Sequence, residues 1–319
     1  MSQGLLTQRV AVKLLDPNRA TELVAVAEFE TESDLLARLA PCKNVINYVG
    51  TWSSTVQVTL GGMLMALSVR FHVLELADGS LEDLLPDRDL LSWTSKLDLL
   101  RDAVCGAHQM HLRRVLHRDL KCANALLVHM GGKGHIVKVA DLGRSRSLSV
   151  APRLLPDGYA PGRGDPSFAP PEYIWLLGQA DPRSLVRADL YLLGSLFFEL
   201  CTGQGLTAVA FPGEWVVAAG YTGPSRAAQY QDRLSGLRAG LELALGLFAR
   251  QLPPVIRQPA CAFVRQLCDP DPLSREFRFR AERRLPDVGL QWVIRRLDIL
   301  RLTLLRDQGP VTAMSRPTR

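Results

Sequence analysis

His117, Arg118, Asp119, Lys121 and Asn124 fall within one octapeptide, HRDLKCAN, which Val115 and Leu116 precede and ALLV follows. Solvated loops tolerate such charge but usually join polar flanks, not two short apolar runs. Beyond Asn124 the chain reads ALLV-HMGGKGH-IVKVA-DLG, two apolar stretches around a glycine-rich turn, which predicts a β-hairpin. A hairpin returns to its starting point, so Asn124 and Asp141 should lie side by side. An amide oxygen beside a carboxylate suits a hard cation such as Mg²⁺, which completes its shell with water and substrate phosphates. Asp119, on the same tight loop, is then close enough to orient a substrate hydroxyl and accept its proton. Lys121 adds a cation within reach of a transferred phosphoryl group. The competing reading, that Asp119 and Asp141 only cap turns, leaves the combined spacing without a cause.

These residues need a frame. RVAVKLL, 9–15, reads as a buried strand with Lys13 inside it, and ATELVAVAEFETESDLLARLA, 20–40, has apolar residues at roughly helical spacing until PCKN stops it. VINYVGTW, STVQVTL and MALSVRFHVLEL read as three strands, the last ending in the polar join ADGS. From residue 81 the periods become helical: SWTSKLDLLRDAVCGAHQMHL, 92–112, has one apolar face, and ADLYLLGSLFFELCTG, 188–203, is apolar almost all round and should be buried. The expected fold is α+β, a small antiparallel strand-rich lobe (1–76) joined near Glu75 to Gly79 to a larger helical lobe (77–280). GLQWVIRRLDILRLTLLRD in the remainder (281–319) is an amphipathic cationic helix, expected to pack on the helical lobe in preference to a membrane surface or partner, before a disordered GPVTAMSRPTR. No internal repeat is present.

The 319 residues, 47% hydrophobic and 22% charged, suffice for a substantial core. A formal charge of +6 permits anionic partners without choosing among them. Only six basic residues are Lys, and no nucleic-acid-binding motif accompanies the many Arg, so codon bias explains them better than a nucleic-acid partner. Six scattered cysteines without metal-ligand spacing imply free thiols in a reducing compartment. With no signal-peptide pattern at the start, and apolar runs about half the ~20 residues needed to span a bilayer, the expectation is a soluble cytoplasmic protein.

Taken together, the motifs resemble those of the protein kinase family over about residues 9–280. HRDLxxxN is matched by His117 to Asn124, DFG by Asp141-Leu142-Gly143, and APE by Pro170-Pro171-Glu172. The resemblance implies that Asp119 is the catalytic base, that Asn124 and Asp141 hold magnesium, and that Arg118 receives a phosphorylated activation loop. Asp189 resembles the acid of the family's buried helix, and Arg275 the arginine that pairs with the APE glutamate, here Glu172. VAVK, 10–13, is similar to the strand whose lysine meets the α- and β-phosphates of ATP, with Glu32 as its partner. A second register, VAVA at 24–27 with Ala27 in the lysine's place, leaves too few residues for a helix carrying Glu32. FHVLELADGSLEDLL is similar to the hinge, with Leu74 as gatekeeper and the backbones of Glu75 and Ala77 offered to adenine. Lys121, two residues after Asp119, is the serine/threonine-type signal. The implied cofactors are ATP and Mg²⁺, and the implied partner is a protein substrate.

Two departures qualify the likeness. Only twelve residues precede Lys13, with Gly4 the sole glycine, whereas the family's glycine-rich loop needs about 20 residues of strand and turn. The expectation is a start codon set too far downstream. In GDPSFAPPE, 164–172, Asp165 stands where serine/threonine kinases carry Thr, and a carboxylate there would either pair with Lys121 or repel Asp119. Both departures keep a non-catalytic pseudokinase scaffold open as the alternative. A small-molecule kinase is disfavoured by Glu172, Asp189 and Arg275. Between Arg144 and Arg163, arginines alternate with the candidate phosphorylation sites Ser145, Ser147, Ser149 and Tyr159, and Ser167 follows.

Overall fold

A computed structural model describes residues 9–150, 165–179, 181–276 and 289–307. Alternation of Val10, Val12 and Leu14 with Ala11 and Lys13 produces strand β1 (Val10–Leu14). Helix α1 (Leu23–Leu39) turns Ala25, Phe29, Glu32, Leu35, Leu36 and Leu39 inward, so one charged residue shares its apolar stripe. Ala27 lies within α1, which removes VAVA from the strand register.

VINYVGTW and STVQVTL, expected as two strands, form one, β2 (Tyr48–Leu60), irregular only between Tyr48 and Gly50. Nothing between Trp52 and Thr55 breaks a strand, and β3 (Met63–Glu75) offers a ladder long enough to hold it. Gly61 and Gly62 make the turn between them with φ of 57° and 82°, which a residue with a side chain adopts only at a cost. The sheet is antiparallel, in the order β1-β3-β2.

The helical part starts beyond β4 (Gly79–Ser80) with α2 (Trp93–Leu112), whose N-cap Ser92 accepts from the Ser95 N–H. Short β5 (Val115–Leu116) leads into HRDLKCAN, and β6 (Ala125–His129) and β7 (His135–Val139) form the predicted hairpin. β8 (Arg146–Ser147) returns antiparallel to β5. After the short α3 (Pro171–Ile174), Asp181 caps α4 (Pro182–Thr202), which is buried from Ala188 to Cys201 on every side, as its composition predicts. Around it lie α5 (Leu206–Ala210), α6 (Glu214–Ala219), α7 (Pro224–Gln251) and α8 (Pro254–Leu267).

The amphipathic α9 (Gln291–Asp307) packs on α2 and α8, burying Val293, Leu297, Leu300 and Leu304. Arg101–Asp298 and Asp98–Arg301 ion pairs flank that seam at 2.6 and 2.5 Å. The connection between α1 and β2 docks on β7 through Asn44, whose Nδ2 donates to the Val137 carbonyl while its own carbonyl accepts from the Val139 N–H. Gly106 of α2 lets that loop approach, because a Cβ there would lie 2.4 Å from the Asn44 oxygen. All six cysteines are unbonded. No described helix is long and apolar enough to cross a membrane. The loop residues Arg153, Tyr159 and Arg163, and the tail expected to be disordered, lie outside the described residues.

Candidate active site

The β6–β7 ladder runs from His129↔His135 to Ala125↔Val139, and the Ala140 N–H donates to the Asn124 carbonyl at 2.9 Å. This brings the Asn124 and Asp141 backbones to the open end of the hairpin. Asp141 takes φ of 59°, a left-handed conformation that turns the chain out of the strand. Asn124 Nδ2 donates to the Asp119 carbonyl at 2.7 Å and to Asp119 Oδ2 at 3.3 Å, leaving its Oδ1 to accept.

HRDLKCAN is buried because backbone and side chains satisfy one another. Asp189, on fully buried α4, accepts from the N–H groups of His117 (2.9 Å) and Arg118 (2.8 Å) and from His111 Nε2 (2.8 Å). Burial pushes the Asp189 carboxyl up, but these donors outweigh it and hold it below the usual range. They also fix Arg118 at φ 69°, a strained conformation for a residue with a side chain. His117 accepts from the Asp119 N–H at Nδ1 and donates from Nε2 to the Ala140 carbonyl, locking the loop to the hairpin. Glu199, pushed up to about 7 by burial, accepts from the Cys122 N–H.

Lys13 reaches this loop from the sheet. Its Nζ lies 2.6 Å from Glu32 Oε2, 2.8 Å from Oε1 and 2.9 Å from Asp141 Oδ1. Burial works against the ammonium, yet the two carboxylates outweigh it and raise its pKa. Burial likewise pushes the Asp141 carboxyl up, but Lys13 prevails and holds it low. Glu32 also accepts from the Leu142 N–H at 3.1 Å, tying α1 to Asp141-Leu142-Gly143.

On the other side of Asp119, Lys121 Nζ lies 3.3 Å from Asp165 Oδ2 and 5.6 Å from the Phe168 ring centroid. Of the two outcomes expected for Asp165, the ion pair forms. Burial pushes its carboxyl up, while the Ser167 N–H and Lys121 hold it low.

The remaining predicted residues lie away from this cluster. Arg275 pairs with Glu172 through two 2.7 Å bonds, both side chains buried. Glu75 donates its N–H to the Asn47 carbonyl, and its side chain accepts from Lys138 Nζ at 2.6 Å. The half-buried Ala77 lies two residues further on, on the segment leaving β3. The sequence named Arg144 only among the arginines of the loop and not as a neighbour of Asp119, whose Oδ1 lies 3.6 Å from its Nη1, and it did not single out Lys138, Glu199 or Arg38. Arg144 directly follows DLG, but its reach depends on how the chain turns there.

The donors at the hairpin end fit a hard cation: one amide oxygen with its nitrogen otherwise engaged, and one half-exposed carboxylate. Among the described residues no group of three His, Cys, Asp or Glu could hold a metal, so this pair would need water or phosphate to complete the shell.

A small antiparallel sheet with one helix, set on a larger helical body with HRDLKCAN and DLG at the junction, defines a protein-kinase-like class. A family model described as the protein kinase domain matches residues 5–275, and the chain belongs to that family. It is 30% identical over 218 residues to the serine/threonine-protein kinase PBL27 of Arabidopsis thaliana, covering 65% of this chain and 37% of that protein. To the serine/threonine-protein kinase Nek3 of Mus musculus it is 36% identical over 118 residues, covering 37% of this chain and 19% of the other. To the probable serine/threonine-protein kinase PknB of Lactococcus lactis it is 26% identical over 211 residues, covering 66% and 29%. The chain therefore spans well under half the length of these curated relatives.

Proposed function

We propose that this chain transfers the γ-phosphoryl group of MgATP to a serine or threonine hydroxyl of a protein. The observation that carries this reading is the convergence of Asp119, Asn124 and Asp141 with the Lys13–Glu32 pair. Bound magnesium would neutralise charge on the phosphates. Asn124 and Asp141 would hold it, and Lys13, its flexible stem directed by Glu32, would meet the α- and β-phosphates. Asp119 would orient the acceptor hydroxyl and take its proton, with Lys121 stabilising the transferred group. The backbones of Glu75 and Ala77 would receive adenine, and Arg118 a phosphorylated loop. His117, Glu172, Asp189 and Arg275 would brace the platform. The serine/threonine choice is supported by Lys121 and by the similarity to the serine/threonine-protein kinases PBL27 and Nek3.

A non-catalytic nucleotide-binding scaffold is the second reading. Two contacts favour it: Asp165 engages Lys121, and Arg144 faces Asp119, so both catalytic charges already have partners.

Radiolabelled ATP with a generic protein acceptor separates the two. Transfer is expected, and Asp119→Asn should lower its rate on the order of 10² to 10⁴-fold while sparing nucleotide binding. Asp141→Asn should instead weaken Mg²⁺-dependent nucleotide binding itself. Equal losses of both properties in the two variants would contradict these roles, and nucleotide binding without any transfer would establish the scaffold.

A further inference from the structure

The two faces of the β1-β3-β2 sheet differ in what meets them. On one, His72 stacks on Phe29 of α1, Arg70 pairs with Glu30, and Lys13, opposite His72 in the ladder, reaches Glu32. On the other, Leu14, Phe71 and Trp52 share a row, and the Trp52 and Phe71 rings stack at 6.4 Å. Gly50 lets the indole lie back over this face, because a Cβ there would fall 2.5 Å from the Trp52 ring. Val12, Leu14, Trp52, Val56, Met63 and Met65 all belong to it by register, and each is between 45% and 70% exposed.

β2 and β3 also run on beyond their supports. The β1 ladder ends at Leu14↔Phe71, and every residue from Thr51 to Gln57 and from Gly61 to Ala66 is exposed. A two-stranded ribbon is marginally stable in water unless one of its faces is packed. Exposed strands ordinarily carry charge or proline against unwanted association, yet in a chain that is 22% charged no Asp, Glu, Lys, Arg or Pro occurs between Asn44 and Val69.

We propose that this outer face is the interface of a homodimer, in which two copies pack sheet on sheet about a two-fold axis lying between them. A two-fold axis sets like residues against like, which an apolar face without charge accepts and a charged one resists. The exposed side chains amount to several hundred Å² per copy, on the order of the ~800 Å² that each partner gives to a stable interface. A bilayer fits less well, since surface-bound amphipathic elements offer Lys or Arg to the headgroups and this ribbon has none. A charged partner would find nothing to pair with. Because Lys13 faces the other way, the dimer does not depend on the phosphoryl-transfer reading.

Sedimentation velocity of the full chain from about 1 to about 100 μM should show a dimer whose fraction grows with concentration. A monomer throughout overturns the proposal. Val56→Asp and Met65→Asp each place a carboxylate on the outer face and should weaken dimerisation at least about tenfold, whereas Thr55→Asp, exposed on the reverse face, should change it less than about threefold. Circular dichroism checks that each variant folds, and equal weakening by Val56→Asp and Thr55→Asp overturns the assignment of the face. In a third experiment benzoylphenylalanine replaces Ser54 on the outer face or Thr55 on the reverse, and light and nitrogen-15-labelled chains are mixed before photolysis. Light-to-heavy cross-links are expected from position 54 and not from 55. Cross-links from 54 confined to one chain, to residues 1–8 for example, would mean that the chain covers its own face and would overturn the dimer. Flotation with anionic vesicles that Val56→Asp abolishes would assign the face to lipid and overturn it equally.

Discussion

Asp165 occupies Lys121 where a hydroxyl would leave the ammonium freer to meet a phosphoryl group. Asp165→Thr should therefore raise the transfer rate severalfold, by about 1 kcal/mol of barrier, without changing nucleotide affinity. A steady-state comparison of kcat and KM checks this, and a fall in kcat would mean that the carboxylate is needed. A second residue, across the β1–β3 ladder from Lys13, sets a pH dependence of stability. His72 is buried between the Phe29 carbonyl and Thr51 and stacks on the Phe29 ring, and burial lowers its pKa to about 4 from an ordinary 6.5. Between those values the unfolded chain binds a proton that the folded one refuses, so this contribution to stability falls as pH falls. Glu199, raised to about 7, has the opposite sign over an overlapping window, so the effect must be read as a difference between proteins. Urea unfolding at about pH 7.5 and about pH 5 should show wild type losing on the order of 2 kcal/mol more than His72→Gln. Parallel losses would exclude His72.

Elements are joined here by a few buried contacts whose worth can be compared. Glu172 at the start of α3 and Arg275 beyond α8 are bidentate and out of solvent, the arginine stacked 4.9 Å from the Tyr191 ring centroid. Arg275→Met leaves a buried carboxylate alone and should cost about 3–5 kcal/mol, whereas adding Glu172→Leu should recover most of it. Thermal unfolding of the two variants checks this, and a double variant no more stable than the single would show that packing dominates. On α9 the apolar seam should outweigh its ion pairs. Leu300→Ala should cost about 2–5 kcal/mol, but Arg301→Ala less than about 1, since the Asp98–Arg301 pair is between a third and a half exposed.

At the scale of the whole molecule, the sheet and the helical body meet through Lys13–Asp141, Asn44–Val137 and Lys138–Glu75. On the kinase function proposed above, the first of these would lie beside the phosphates of a nucleotide, and both parts would contribute to the site. α9 completes the body on its far side by spending its buried leucines on α2 and α8. Its main apolar face is thus turned to the protein, and only Ile299, Leu302 and Leu305 stay exposed for lipid. Vesicles of anionic lipid at physiological salt should therefore leave the full chain in the supernatant on sedimentation. Substantial co-sedimentation would mean that α9 detaches or that another surface binds.

Several features were settled by the order of residues along the chain. The hairpin after Asn124, the buried helix bearing Asp189 and the amphipathic stripe of α9 depend on local period and turn chemistry, which a sequence displays directly. HRDLKCAN announced chemistry because its charges stood between apolar runs. The continuous β2 did not show itself, since its two halves are joined only by pairing with β3. Nor did the partners of the charges: Lys13 and Asp141 are 128 residues apart, and Arg38 and Ser149 are 111 apart. Periodicity carries no information about which long side chain will meet which after helices and strands have crossed. Only the packed structure decided that Arg144 faces Asp119 and that Asp165 pairs with Lys121, because such contacts depend on interatomic distances fixed when the core closes.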